Sequence, residues 1–205
     1  FSVARARVRL PGDAVTAVLL SLRPGAFSEE VTVVGTRLAG SAETLERLPG
    51  SVDVVDRRQL EGSRVADVNE ALRKATGVNV RDEEGLALRP NIGIRGLNPT
   101  RSSKTLLLED GLFVTYAPYG DNATYYHPPV ERFEAIEVVK GSGQIAYGPV
   151  TVGGVVNYLT PAPPVKPTAN LRLTGGNRDY LHGQALAGGT WGGTALLAEY
   201  MRKQG

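Results

Sequence analysis

Between Asn91 and Thr160 the chain repeats one local pattern, a short apolar strand that ends in a glycine or proline turn. NIGIRGLNP occupies 91–99, TLLLEDG 105–111, APYGD 117–121, ERFEAIEVVKGSGQIAYGP 131–149 and GGVVNYLTP 153–161. Strands are expected at Ile92–Arg95, Thr105–Glu109, Leu112–Val114, Ala135–Lys140 and Val155–Leu159, with another at Val78–Arg81. Asp110-Gly111 stands between two apolar runs and is a strong hairpin signal. Ahead of these strands, Val65, Val68, Ala71, Leu72 and Ala75 recur at helical spacing. A helix is therefore expected from Ser63 to Thr76, with Ser63 as its cap, Asp67 at the positive end of its dipole and Gly77 closing it left-handed. A shorter helical turn is expected over Arg57 to Glu61. Helices on a small mixed sheet make an α+β core.

Two other segments flank residues 29–165. Residues 1–28 contain VARARVRL and AVTAVLLSL around a Pro11-Gly12-Asp13 turn, and read either as the remnant of a small β-sandwich or as a leader with strand propensity. After the stiff connector carrying Pro161, Pro163, Pro164 and Pro167, residues 166–205 alternate in polarity. Ala169, Leu171 and Leu173 oppose Asn170, Arg172 and Thr174; Leu181, Ala185 and Ala187 oppose His182 and Gln184; Leu196, Ala198 and Tyr200 share a side. Such strands fit an ordinary meander or the opening of a membrane barrel whose lumen face is polar.

Composition excludes several classes. Hydrophobic residues are 41% of the chain, with Gly 25 and Pro 13, which suits a turn-rich globular core rather than disorder. A formal charge of +2 with interspersed signs gives no nucleic-acid footprint. With Cys 0 there is no thiolate site or cysteine nucleophile. Ala14 to Leu22 is far shorter than the roughly 18 apolar residues of a membrane helix.

No catalytic constellation stands out. Glu109 and Asp110 are adjacent and point to opposite faces of a strand. Gly141-Ser142-Gly143 lacks the Gly-Lys-Ser/Thr of a phosphate loop and reads as a tight strand exit. His127 has no histidine or cysteine neighbour to complete a metal site, so none is expected.

The ordered motifs IRGLNP, LLLEDG, APYG and YGP…VGGVVN resemble the plug domain of TonB-dependent outer-membrane receptors, most closely the ferric citrate receptor branch, over residues 29–205. The resemblance implies an α+β plug followed by the first antiparallel strands of an incomplete transmembrane β-barrel, because three strands cannot close one. It implies an outer-membrane gate for a ferric chelate such as ferric citrate, with outer-membrane lipid around the barrel, iron arriving already chelated and no resident cofactor. Glu30, Val31, Thr32, Val33 and Val34 take the position of the Ton box, the extended segment that the energy-coupling protein TonB captures by strand addition. Arg95 and Lys140 take the positions of the basic residues that lock plug to barrel; Lys140 keeps the charge but has no bidentate fork. Arg101 and Lys104, with Tyr116, Tyr119, Asp121, Tyr125, Tyr126 and His127, fall on the apices that meet ligand. Another cargo of the family (cobalamin, a nickel chelate, an oligosaccharide) and a stand-alone plug-like binding module remain as alternatives.

Overall fold

A computed structural model describes residues 50–83, 89–114, 127–148 and 151–205, all within the unit Val33–Gly205. Its centre is a five-stranded mixed sheet. The strands are β1 (Ser51–Asp56), β4 (Thr105–Glu109), β5 (Leu112–Phe113), β6 (Ala135–Lys140) and β7 (Gly154–Leu159), in the order β1-β6-β7-β4-β5. Only β4 and β7 run parallel; the other neighbours are antiparallel. A short hairpin of β2 (Val78–Arg81) and β3 (Asn91–Ile94) forms a second sheet.

β6 and β7 are buried at every residue, and their mostly apolar sequences take in three polar side chains, Glu137, Lys140 and Asn157, each hydrogen-bonded inside. One face of the sheet, with Val55, Leu107, Ile136, Val138, Val156 and Tyr158, packs on Leu60, Leu72, Ile92, Ile94 and Phe133. The other carries a smaller cluster of Leu106, Leu108, Val139 and Val155, flanked by Val52 and Tyr147. Gly154 lies where β7 passes closest to its neighbours. Its φ is +147°, and a Cβ there would sit 2.7 Å from both Ile94 Cδ1 and the Val139 carbonyl.

The helices depart from the sequence expectation. α1 (Arg57–Gly62) is capped by Asp56, whose carboxylate accepts from the Gln59 amide at 2.7 Å while Gln59 reaches back to the Asp56 amide. The helix expected over 63–76 is α2 (Val68–Leu72), only one turn and a half long. Ser63 ends α1 instead of starting α2, and Arg64 at φ 50° breaks the path between them. Asp67 is the cap, accepting from the Glu70 amide at 2.9 Å. Beyond Leu72 the chain tightens into i→i+3 bonds, and Gly77 at φ 72° releases it into β2 as expected. Val68, Ala71, Leu72 and Ala75 are buried as the periodicity required. The Asp110-Gly111 turn has φ of 49° and 78°, the left-handed pair a tight hairpin needs. Asp110 also ties the far end of β7, accepting from Thr160 N at 3.0 Å and Thr160 Oγ1 at 2.6 Å.

The chain continues into a three-stranded antiparallel sheet of β8 (Thr168–Gly175), β9 (Leu181–Trp191) and β10 (Thr194–Gln204). One side of it exposes Leu171, Leu173, Leu181, Leu196 and Tyr200, each at least half accessible. The polar side turns to the α+β core, burying His182 and Gln184.

Candidate functional site

The register of the central sheet gathers one group of cations at a single end. Ser51 pairs with Lys140, Val139 with Val155, and Thr105 with Gly154, while the Lys104 carbonyl accepts the Gly153 amide at 2.7 Å. Lys104 and Lys140 therefore lie where β1 enters the sheet. Arg95 joins them: its guanidinium nitrogens lie 3.5 and 3.6 Å from where a Cβ on Gly141 would stand. Its backbone is left-handed, at φ 55°, and its amide donates to Gly77 O at 2.8 Å.

Arg95 is exposed but Lys140 is not. The Lys140 ammonium is 2.5 Å from Asp53 Oδ2 and 2.7 Å from the Thr76 carbonyl, and the same Asp53 oxygen accepts the Thr76 amide at 2.7 Å. Lys140 thus ties β1 to β6 and to the turn after α2. In this structure its ammonium is therefore paired within the plug, with Asp53. Asp53 lies 87 residues away, so no local pattern announced the pair.

Arg101 is exposed on a short 3-10 turn, Thr100–Ser102, where it and Ser102 both take left-handed angles, φ 54° and 52°. Asn91 Oδ1 accepts the Arg101 amide at 2.6 Å, and buried Ser102 Oγ bridges Pro90 O and Ile92 N at 2.8 and 3.0 Å. This polar bracket holds an unusual backbone in place and leaves the Arg101 and Lys104 side chains in solvent. Tyr116, Tyr119, Asp121, Tyr125 and Tyr126, and Glu30 to Val34, lie outside the described residues.

His127 lies apart from these exposed cations. It is not on an apex but 4% accessible, at the opposite end of the sheet from Lys104. Its Nδ1–H donates to Pro128 O at 2.8 Å, which leaves Nε2 to accept the Tyr158 hydroxyl at 2.6 Å. The ring stands edge-on to Tyr158, which stacks on Phe133 at 4.7 Å. Burial lowers the His127 pKa to about 4 and raises that of Tyr158. Among the described residues no three His, Asp or Glu side chains converge on a common point.

The other face of the sheet holds a buried acid that the sequence reading passed over. Glu137, 1% accessible, accepts Asn157 Nδ2 at 3.0 Å, and burial lifts its pKa to about 7. Asn157 Oδ1 in turn accepts the Gly111 amide at 2.9 Å, so the acid is wired to the β4–β5 hairpin.

Between the α+β core and the three-stranded sheet runs a polar seam with a cavity of about 510 Å³, floored by Leu60, Val65 and Phe133. Each strand sends one polar side chain across it. Arg172 on β8 meets Glu61 at 2.6 Å, Gln184 on β9 donates to the Glu131 carbonyl at 2.9 Å, and Lys203 on β10 meets Glu131 Oε1 at 2.8 Å. The hydrogen bond from Arg172 holds the Glu61 carboxyl below its ordinary pKa, with Arg57 adding to the effect against a smaller loss of solvation. Alternation in the sequence placed His182 and Gln184 on one side, but Glu131, which Gln184 and Lys203 meet across the seam, lies 53 and 72 residues from them and could not be read from it.

A small mixed sheet with short helices is thus bound along one flank to antiparallel strands whose other side is apolar. Residues 44–155 match the model of the TonB-dependent receptor plug domain, and the chain belongs to that family. It is 30% identical over 165 residues to the iron-regulated outer membrane virulence protein of Vibrio cholerae, covering 76% of this chain and 24% of the relative. It is 29% identical over 118 residues to the vitamin B12 transporter BtuB of Vibrio vulnificus, covering 58% of this chain and 19% of that one. The solved structure of the ferric citrate transporter FecA in its unliganded form superposes with a TM-score of 0.64 at 30% identity, over 80% of this chain and 27% of FecA. The chain thus spans about a quarter or less of the length of these outer-membrane relatives.

Proposed function

We propose that this chain is the gate and energy-coupling segment of an outer-membrane active transporter for a ferric chelate of the citrate type, and that β8 to β10 open its barrel. The observation that carries the gate reading is the two-sided sheet. Its polar face is ion-paired and hydrogen-bonded to the plug, while Leu171, Leu173, Leu196 and Tyr200 stand open on the other side, where lipid would cover them. Glu30 to Val34 is the Ton box in this reading, a segment whose β-branched residues suit strand addition to TonB.

Arg101 and Lys104, solvent-exposed beside a braced turn, support an anionic cargo, since a citrate-like chelate is dense in negative charge. The likeness to FecA points the same way. The likeness to BtuB keeps cobalamin as the second reading.

The test of coupling is Val33→Pro in the complete receptor. Proline removes a donor and blocks strand pairing, so energised uptake should fall to background while cargo binding at the cell surface is retained. Uptake at the parent rate would remove the Ton-box assignment.

A further inference from the structure

The expected locks of this plug were its own cations, Arg95 and Lys140, reaching for acids on the wall. Lys140 is engaged internally, and across the seam the charges run the other way. Acids sit on the plug and donors sit on the strands. Lys203 Nζ donates to Glu131 Oε1 at 2.8 Å and also to the Ala66 carbonyl, and the two side chains are only 11% and 10% accessible. Gln184 joins the Glu131 carbonyl to Glu199 Oε1, at 2.9 and 2.6 Å. Arg172 closes the line at Glu61, which is shared with Arg57 at 2.9 Å.

These contacts are not equal. Arg172 and Glu61 are both more than a third accessible, and an exposed pair of that kind contributes little. The Lys203–Glu131 pair is withdrawn from water, so removing one member leaves the other buried and unpaired, a heavy penalty. The pair is therefore close to all-or-none, either seated with the two charges in contact or opened to solvent. Its location gives that property a consequence. Glu131 lies in the 3-10 turn Val130–Arg132, which directly precedes the central strand β6 and follows the loop of tyrosines expected to meet cargo.

We infer that Glu131 and Lys203 form a latch of reversed polarity that seats the plug against the first barrel strands, with Gln184 and Arg172 as its guides. The inference rests on the proposed identity of β8 to β10 as barrel strands. It makes Glu131 and Lys203 positioning residues, acting on where the plug sits rather than on cargo. Arg95 remains the cation at the opposite end available for the lock that the resemblance implied.

The test uses hydrogen exchange on the complete receptor in detergent micelles, comparing the parent, Glu131→Gln, Lys203→Met and the charge exchange Glu131→Lys with Lys203→Glu. Each single variant should speed exchange at amides 60–66 and 130–133 by about tenfold or more, with β6 and β7 still protected, because a buried charge has lost its partner. The exchanged pair should recover to within about threefold of the parent, as a pairwise interaction requires. Should a single variant lose its fold entirely, a folded exchanged pair supports the latch and an unfolded one overturns it. Parent-like exchange in both single variants, or an exchanged pair no better than either, would also overturn it. The barrel reading is checked separately by Leu171→Asp with Tyr200→Asp. If that protein still assembles in membranes, the strands do not face lipid, whatever the coupling of Glu131 to Lys203.

Discussion

Replacing Glu137 with Gln removes a titration while leaving an acceptor for Asn157, and its effect on stability should depend strongly on pH. In the folded chain burial raises the Glu137 pKa from 4.5 to about 7, so the folded state resists ionisation that the unfolded chain accepts freely. Glu137 therefore costs nothing below pH 4.5, costs progressively more as pH rises, and reaches its full cost above about 7. At about 1.4 kcal/mol per pH unit the full cost is on the order of 3 kcal/mol. His127 works in the opposite sense. Its pKa falls from 6.5 to about 4 on folding, so its contribution is complete above 6.5 and is lost as pH falls through 4. Between 4.5 and 6.5 the two slopes nearly cancel, and these two groups leave the parent's stability flat there. In Glu137→Gln the cancellation is gone, and stability should climb with pH across that window by on the order of 3 kcal/mol. Urea unfolding at a series of pH values reads this directly, as the variant-minus-parent difference in free energy. Any fixed packing cost of the glutamine shifts that difference uniformly and leaves its slope intact. A difference that stays constant within about 0.5 kcal/mol from pH 4.5 to above 7 would refute the argument, since Glu137 would then titrate alike in both states.

Other perturbations follow from the same geometry. Gly154→Ala forces a Cβ into Ile94 and the Val139 carbonyl at an unfavourable φ, and should lower stability by about 2 kcal/mol or more in thermal or urea unfolding. Lys140→Met strips the donor from Asp53 and the Thr76 carbonyl and should cost about 2 kcal/mol, with β1 amides exchanging faster than those of β7; equal protection would mean that Lys140 does not hold β1. Reversing charge at Arg101 and Lys104 in the complete receptor should weaken an anionic chelate more than a neutral one of similar size, and equal losses for both would argue against a ligand-facing role.

Most of the strands were legible because each is short, β-rich and closed by a turn residue with its own mechanism, as at Asp110-Gly111; β1 was not, because Asp53 and Asp56 interrupt the apolar pattern of this half-exposed edge strand. The helix boundary was not, because Ser63, Asp67 and Asp56 are all competent caps. Only the tertiary path decides which of them is used; here Arg64 turns left-handed between two separate helices. Charged residues were read as exposed by default. That served for Arg101 and Lys104 but failed for Lys140, whose neutralising acid is 87 residues away, and for His127, whose partner Tyr158 is 31 residues away. Seam residues were half legible: alternation placed Gln184 on the polar side, but nothing local could say that Glu131 would meet it.

The strand order also sets a sequence of assembly. β6 and β7 join across the short span from Lys140 to Gly154, and β4 adds to β7 next, its Thr105 pairing with Gly154. β1 has the longest loop to close, from Asp56 to Ala135, and gains only one neighbour when it docks. The first of the described strands to be synthesised is thus the last for which pairing repays the lost chain entropy. Until β6 has been made, the N-terminal end of the plug has no partner in the sheet it will finally border.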